Sequence, residues 1–218
     1  MLPLDIAAIG RPIRVLCIGA HADDIEIGAG GTLLTWLARD IKLDVTWCVL
    51  SGETDRATEA RNSANAFLKN AHTASIELAS FRDSYFPNES LALKEWFEAL
   101  RARIAKPDLV FTHSKDDAHQ DHREVSRLTW NAFRDQLILE YEIPKWDGDL
   151  GQPNSYVALT ADTMKQKVEL LHGHFPTQVG KDWFDQETFR GLARIRGMEC
   201  RAQERYAEAF HVRKLLIR

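Results

Sequence analysis

His21, Asp23 and Asp24 follow a strand-like apolar run ending at Ile18, and His119, Asp121 and His122 stand shortly after a second one, Leu109–Thr112. Imidazoles and carboxylates bind divalent cations and move protons near neutral pH. A His and a carboxylate three positions apart, on a turn leading into a helix, can face one point. One imidazole from the second cluster would complete three protein ligands and leave positions open for water and substrate, as catalytic zinc sites require. The other His is then free for proton transfer or oxyanion stabilisation. Asp23 is placed to take a proton from water, and Asp121 to fix an imidazole's tautomer by accepting a hydrogen bond. Alone, an Asp-Asp pair before a helix is an N-cap, and a lone His after a strand is a structural residue. Both clusters at strand ends that a sheet makes adjacent point instead to a metal-dependent hydrolase.

The elements between the clusters support that adjacency. Strand patterns at Ile13–Ile18, Asp44–Leu50, Ser75–Leu78, Leu109–Thr112 and Leu137–Ile143 alternate with helical patterns at Gly28–Arg39, Glu59–Leu68, Leu91–Ile104 and Arg123–Phe133. Such alternation predicts a Rossmann-like α/β fold, a doubly wound and mostly parallel sheet with helices on both faces. In the order 3-2-1-4-5 the first and fourth strands are neighbours at the topological switch point, where ligands bind. The rhythm then changes. Residues 146–156 read as a loop, Asp162–His172 and Glu187–Ile195 as helices, and His211–Ile217 as a last strand. We read residues 1–218 as one domain, with the metal-site core at about 13–143 and a substrate-pocket part at about 144–218.

Composition narrows the function classes. The 218 residues are 44% hydrophobic with a formal net charge of -4, enough for a sizeable core and without the basic stripe that nucleic acid demands. No apolar run approaches the roughly 20 residues that span a bilayer. The first ten residues lack a basic leader, and Cys17 and Cys48 fall within strands as small hydrophobes. These features suggest a cytoplasmic protein. Gly28, Gly30 and Gly31 could cradle a phosphate, but the acidic Asp23, Asp24 and Glu26 just before them favour a packing role.

The motif AHADDIEIGAGG at 20–31 resembles the P-H-P-D-D-x-x-x-G-x-G-G signature of the PIG-L/LmbE-like zinc-dependent N-deacetylases, and HQDHREV at 119–125 resembles their H-P-D-H-x-x-V. YAEAF at 206–210 is also similar, so the resemblance covers nearly the whole chain. It implies His21, Asp24 and His122 as metal ligands, Asp23 as general base, and His119 as the imidazole that stabilises the oxyanion and protonates the leaving amine. Asp121 then supports an imidazole, while Arg56 and Asp83 match substrate-binding positions. Ala20, Ala22 and Gln120 replace motif prolines without removing a ligand. Asp117 stands where some members carry a tyrosine that helps bind the oxyanion, and His113 and Asp116 match no ligand.

The resulting expectation is hydrolysis of an N-acyl, foremost N-acetyl, group from a small amino sugar or glycoconjugate, with Zn2+, Fe2+ or another divalent cation. A nucleic-acid partner or membrane span is not expected. Arg56, Arg82, Arg194 and Arg196 are candidates to meet an anionic carrier, and Trp146, Trp183 and Phe184 to stack on a sugar. The rival reading is a nucleotide- or metal-binding Rossmann-like module without hydrolytic activity, which would have no use for an added acid and base.

Overall fold

A computed structural model describes residues 3–52 and 54–216. Seven strands form one sheet: β1 (Ile13–Gly19), β2 (Leu43–Val49), β3 (Thr73–Leu78), β4 (Leu109–His113), β5 (Leu137–Tyr141), β6 (Ser155–Leu159) and β7 (Tyr206–His211). Their order is β3-β2-β1-β4-β5-β7-β6. The first five are parallel, while β7 runs antiparallel to both β5 and β6. The expected order thus holds, and the C-terminal part extends the same sheet.

Both sheet faces are covered, so strand residues alternate between two cores rather than between core and water. Ile13, Val15 and Cys17 of β1 pack into one core beneath α1 (Asp24–Ala38), α2 (Thr54–Phe67), α5 (Ala161–His174) and α6 (Gln186–Glu199). Leu16 and Ile18 enter the other, beneath α3 (Ser90–Arg103) and α4 (Gln120–Phe133). Cys17 and Cys48 are buried and free, as their strand positions suggested. Among the described residues no helix is long and apolar enough to cross a membrane.

Helix α1 begins four residues before the expected Gly28 and is buried on almost all sides. It therefore shows no amphipathic stripe to mark its start. Its glycines are contact points. A Cβ at Gly28 would lie 2.4 Å from the Tyr141 ring, and one at Gly31 2.8 Å from Glu208 Oε1. The Gly-rich segment does hold an anion, but that anion is the protein's own Glu208. Its carboxylate accepts from Gly31 N at 2.7 Å and Thr32 N at 2.6 Å.

Two C-terminal expectations are corrected. The segment read as a loop over 146–156 ends earlier, because Ser155 opens β6. The last strand is Tyr206–His211 and not His211–Ile217. Ala207, Glu208, Ala209 and Phe210 are all buried, so a buried charged residue interrupts the apolar pattern that would have marked the strand. Ile217, like Met1 and Leu2 of the segment read for a leader, lies outside the described residues.

Candidate functional site

Strands β1 and β4 are hydrogen-bonded neighbours, and their carboxyl ends deliver the two clusters to one place. His21 sits on the turn after β1, and Asp24 opens α1. His119 is the N-cap of α4, its Nδ1 accepting from Asp121 N at 3.2 Å, which puts Asp121 and His122 in the first turn.

The nitrogens His21 Nδ1 and His122 Nε2 are 3.2 Å apart. Asp24 completes the triangle through two different oxygens, Oδ2 lying 3.6 Å from His21 Nδ1 and Oδ1 3.5 Å from His122 Nε2. Ligands at zinc-bonding distance on a tetrahedron would stand about 3.3 Å from one another. The outer nitrogens are both taken by carboxylates. His21 Nε2 lies 3.1 Å from Asp121 Oδ2 and 3.2 Å from Asp83 Oδ1. His122 Nδ1 lies 2.9 Å from Asp117 Oδ2. A ring that donates its outer N–H to a carboxylate turns an inner lone pair to the centre. Two such lone pairs facing each other repel unless a positive charge stands between them.

The electrostatics agree. Burial opposes a charge on His21, but Asp121, Asp83 and Asp24 outweigh it and raise the imidazole to about 10. Burial and the neighbouring His113 ring lower His122 to about 4. The pair therefore holds a single positive charge, which a metal cation can supply in place of the proton. Asp24 stays well below the usual carboxylate range, because His122 and His113 overcome the effect of burial.

Among the described residues, the groups of His and Asp with metal-binding spacing are His21, His119 and His122; His21, Asp83, His119 and Asp121; and Asp24, His113 and His122, so that His122 links His21 and Asp24 through two different groups. His113 is a poor ligand within these groups, since its Nε2 accepts from Ala20 N at 2.9 Å. The ring stacks on His122 with centroids 3.9 Å apart and so fixes that imidazole from behind.

Asp23 is buried beside the triangle with φ 107°, a left-handed conformation unusual for a residue bearing a side chain. Arg56 clamps it, donating to the Ala22 carbonyl and to Asp23 Oδ2, the latter at 3.2 Å. Glu59 holds the guanidinium at 3.1 Å and is itself tied to Thr177 by contacts of 2.9 and 2.6 Å. Burial pushes the Asp23 carboxyl up to about 7, with Arg56 pulling against it. His119 is lowered by burial and by His21, so it carries a proton less readily than a free imidazole.

Each candidate residue thus falls in one cluster: His21, Asp24 and His122 as its triangle, Asp23 and His119 beside it, and Asp121 behind His21. Asp83 lies on the exposed rim and Arg56 on Asp23. Asp121 also accepts from Ser84 N at 2.6 Å and Phe86 N at 3.1 Å, which ties the 83–86 loop to the cluster. The sequence reading missed Asp117 as the carboxylate behind His122; its position five residues before that His matches no helical or strand spacing. Asp116, by contrast, is exposed and pairs with Lys115. Of the other arginines proposed for an anionic carrier, Arg196 is buried against Glu142 and unavailable. Arg82 stacks on Tyr85 and Arg194 on Tyr206. Phe184 is core, whereas Trp146 is 70% exposed with its Nε1 on Asp182.

Comparison with known proteins bears on the family and the fold. The chain is 30% identical over 137 residues, 60% of this chain and 74% of the relative, to a protein of Escherichia coli (strain K12) described as uncharacterized deacetylase YaiS. Its fold is similar to an N,N'-diacetylchitobiose deacetylase from Pyrococcus horikoshii, with a TM-score of 0.68 at 22% identity over 94% of this chain and 85% of that one. It is equally similar, with a TM-score of 0.71 at 16% identity over 94% of this chain and 98% of that one, to GalB, the 4-carboxy-2-hydroxymuconate hydratase of Pseudomonas putida KT2440. The fold therefore does not choose the reaction, and the site must. The family described as PIG-L, GlcNAc-PI de-N-acetylase, matches residues 16–133. That span is more than half of the chain and contains both His/Asp motifs, so this protein belongs to the PIG-L/LmbE-like family.

Proposed function

We propose that the protein is a divalent-cation-dependent hydrolase that removes an N-acetyl group from an amino sugar or its conjugate. The observation that carries this reading is the pair of facing imidazole nitrogens, 3.2 Å apart, each backed by a carboxylate. His21, Asp24 and His122 would hold the cation. Zinc suits the two imidazoles and one carboxylate, and Fe2+ accepts the same set. When bound, the cation polarises the amide carbonyl and acidifies water.

The chain's own residues supply the rest. Asp23, whose carboxyl burial brings to about 7, takes a proton from the attacking water. Arg56 keeps that carboxylate in place. His119 Nδ1 is engaged by the Asp121 amide, so its Nε2 is the atom that carries a proton to the departing amine. Asp83, on the rim beside His21, would meet sugar hydroxyls. The deacetylase relatives support this choice of reaction. A binding module without hydrolysis would have no role for Asp23 and His119 beside the ligands.

Acetate release from N-acetylglucosamine and N,N'-diacetylchitobiose, with and without a chelator, tests the reading. We expect chelator-sensitive release that zinc restores. Release unaffected by a chelator that strips the protein of metal would overturn it, as would tight nucleotide binding with no hydrolysis of any N-acyl sugar.

A further inference from the structure

We propose that Lys145 is a positioning residue for His122, acting through Asp117. The inference rests on the reading that His122 is a cation ligand. Asp117 is the junction. Its Oδ2 meets His122 Nδ1 at 2.9 Å, while its Oδ1 accepts from His119 N at 2.8 Å and lies 3.0 Å from Lys145 Nζ. One carboxylate thus orients a ligand imidazole and the backbone of the residue read as the acid. Lys145 decides which oxygen does which.

The ammonium has a second anchor. It donates to Asp149 Oδ2 at 2.6 Å, and the same oxygen accepts from Ala118 N at 2.6 Å. Lys145 therefore stands between two carboxylates that pin residues 117–119, the approach to α4. Its side chain is only 9% exposed, so the attraction is not dissipated by water. Without the ammonium, Asp117 and Asp149 face each other as uncompensated charges and move apart. Asp117 is then drawn off His122 Nδ1, and the ring loses the partner that aims Nε2 at the centre. A cavity of about 120 Å³ adjoins this junction, lined in part by Asp117, Lys145, Asp149, Glu142 and His211. A shortened side chain would leave room there for a small alkylammonium ion.

The test measures zinc affinity by competition with a chromophoric chelator, using the full chain. Lys145→Met is expected to remain folded by circular dichroism and to bind zinc about 10- to 100-fold more weakly. Lys145→Ala should lose as much and recover several-fold in n-propylammonium but not in potassium at equal ionic strength. Because Lys145 acts through Asp117, the double variant Lys145→Met/Asp117→Asn should bind no more weakly than Asp117→Asn alone. Zinc affinity within twofold of wild type in Lys145→Met, or losses that add in the double variant, would overturn the proposal. Should Lys145→Met not fold, Lys145→Arg carries the test. Affinity within a few-fold of wild type is then expected, and a loss as large as that of Asp117→Asn would overturn it. Wild-type protein that binds zinc no more tightly than His122→Ala would instead remove the cation site beneath both readings.

Discussion

Asp23 holds a backbone conformation that costs a residue with a side chain about 1–3 kcal/mol. Arg56 maintains it by gripping both the Ala22 carbonyl and the Asp23 carboxylate. A proton acceptor has a use for such a position, where burial raises its carboxyl to about 7. Asp23→Asn keeps the shape and removes the basicity. We expect it to retain stoichiometric zinc and to lose at least about a hundredfold in turnover; near wild-type turnover would exclude Asp23 as the base. That His21, Asp24, His119 and His122 meet in one place was legible in the sequence, because both His/Asp clusters follow strands that the fold makes neighbours. Asp117, His113 and Lys145 were not. Their roles arise from the path of the loop between β4 and α4 and of the segment after β5, and no local periodicity encodes either path.

Helix α1 carries Asp24 at its start and is seated from below by charge. Lys167 Nζ donates to the Ile27 carbonyl at 2.5 Å and to Glu208 Oε1 at 2.6 Å, while Glu208 receives the amides of Gly31 and Thr32. The ion pair is buried, each side chain being 5% exposed. Removing one partner strands the other, at a cost of about 3–5 kcal/mol by precedent for buried pairs. Lys167→Met should accordingly lower the urea-unfolding free energy of chelator-treated protein by that amount, and Lys167→Met/Glu208→Gln should recover part of it. A loss below about 1 kcal/mol for the single variant would mean that the pair contributes little to the seat of α1. The same Glu208 explains why β7 was misplaced in the sequence. A carboxylate in the middle of a strand reads as solvent-facing unless its partners, here on α1 and α5, are known. The parallel strands β1, β2 and β4 were legible because burial on both faces leaves them as unbroken apolar runs.

For the molecule as a whole, the cluster joins segments nearly a hundred residues apart in sequence, the turn after β1 and the start of α4. A cation held by both stabilises only the folded chain, since the unfolded chain does not bring His21 and His122 together. Binding should therefore raise stability by mass action, about 2.7 kcal/mol when free zinc is a hundred times its Kd. For a chain of this size each kcal/mol moves Tm by about 2–4 °C, so roughly 5–11 °C should separate zinc-loaded from chelator-treated protein. His122→Ala should abolish that difference, and its chelator-treated form should melt below chelator-treated wild type, because the buried ring stacks on His113 and pairs with Asp117. Differential scanning calorimetry with buffered zinc reads both effects. A zinc-dependent shift that persists undiminished in His122→Ala would place the stabilising cation elsewhere and detach the strand-end cluster from metal binding.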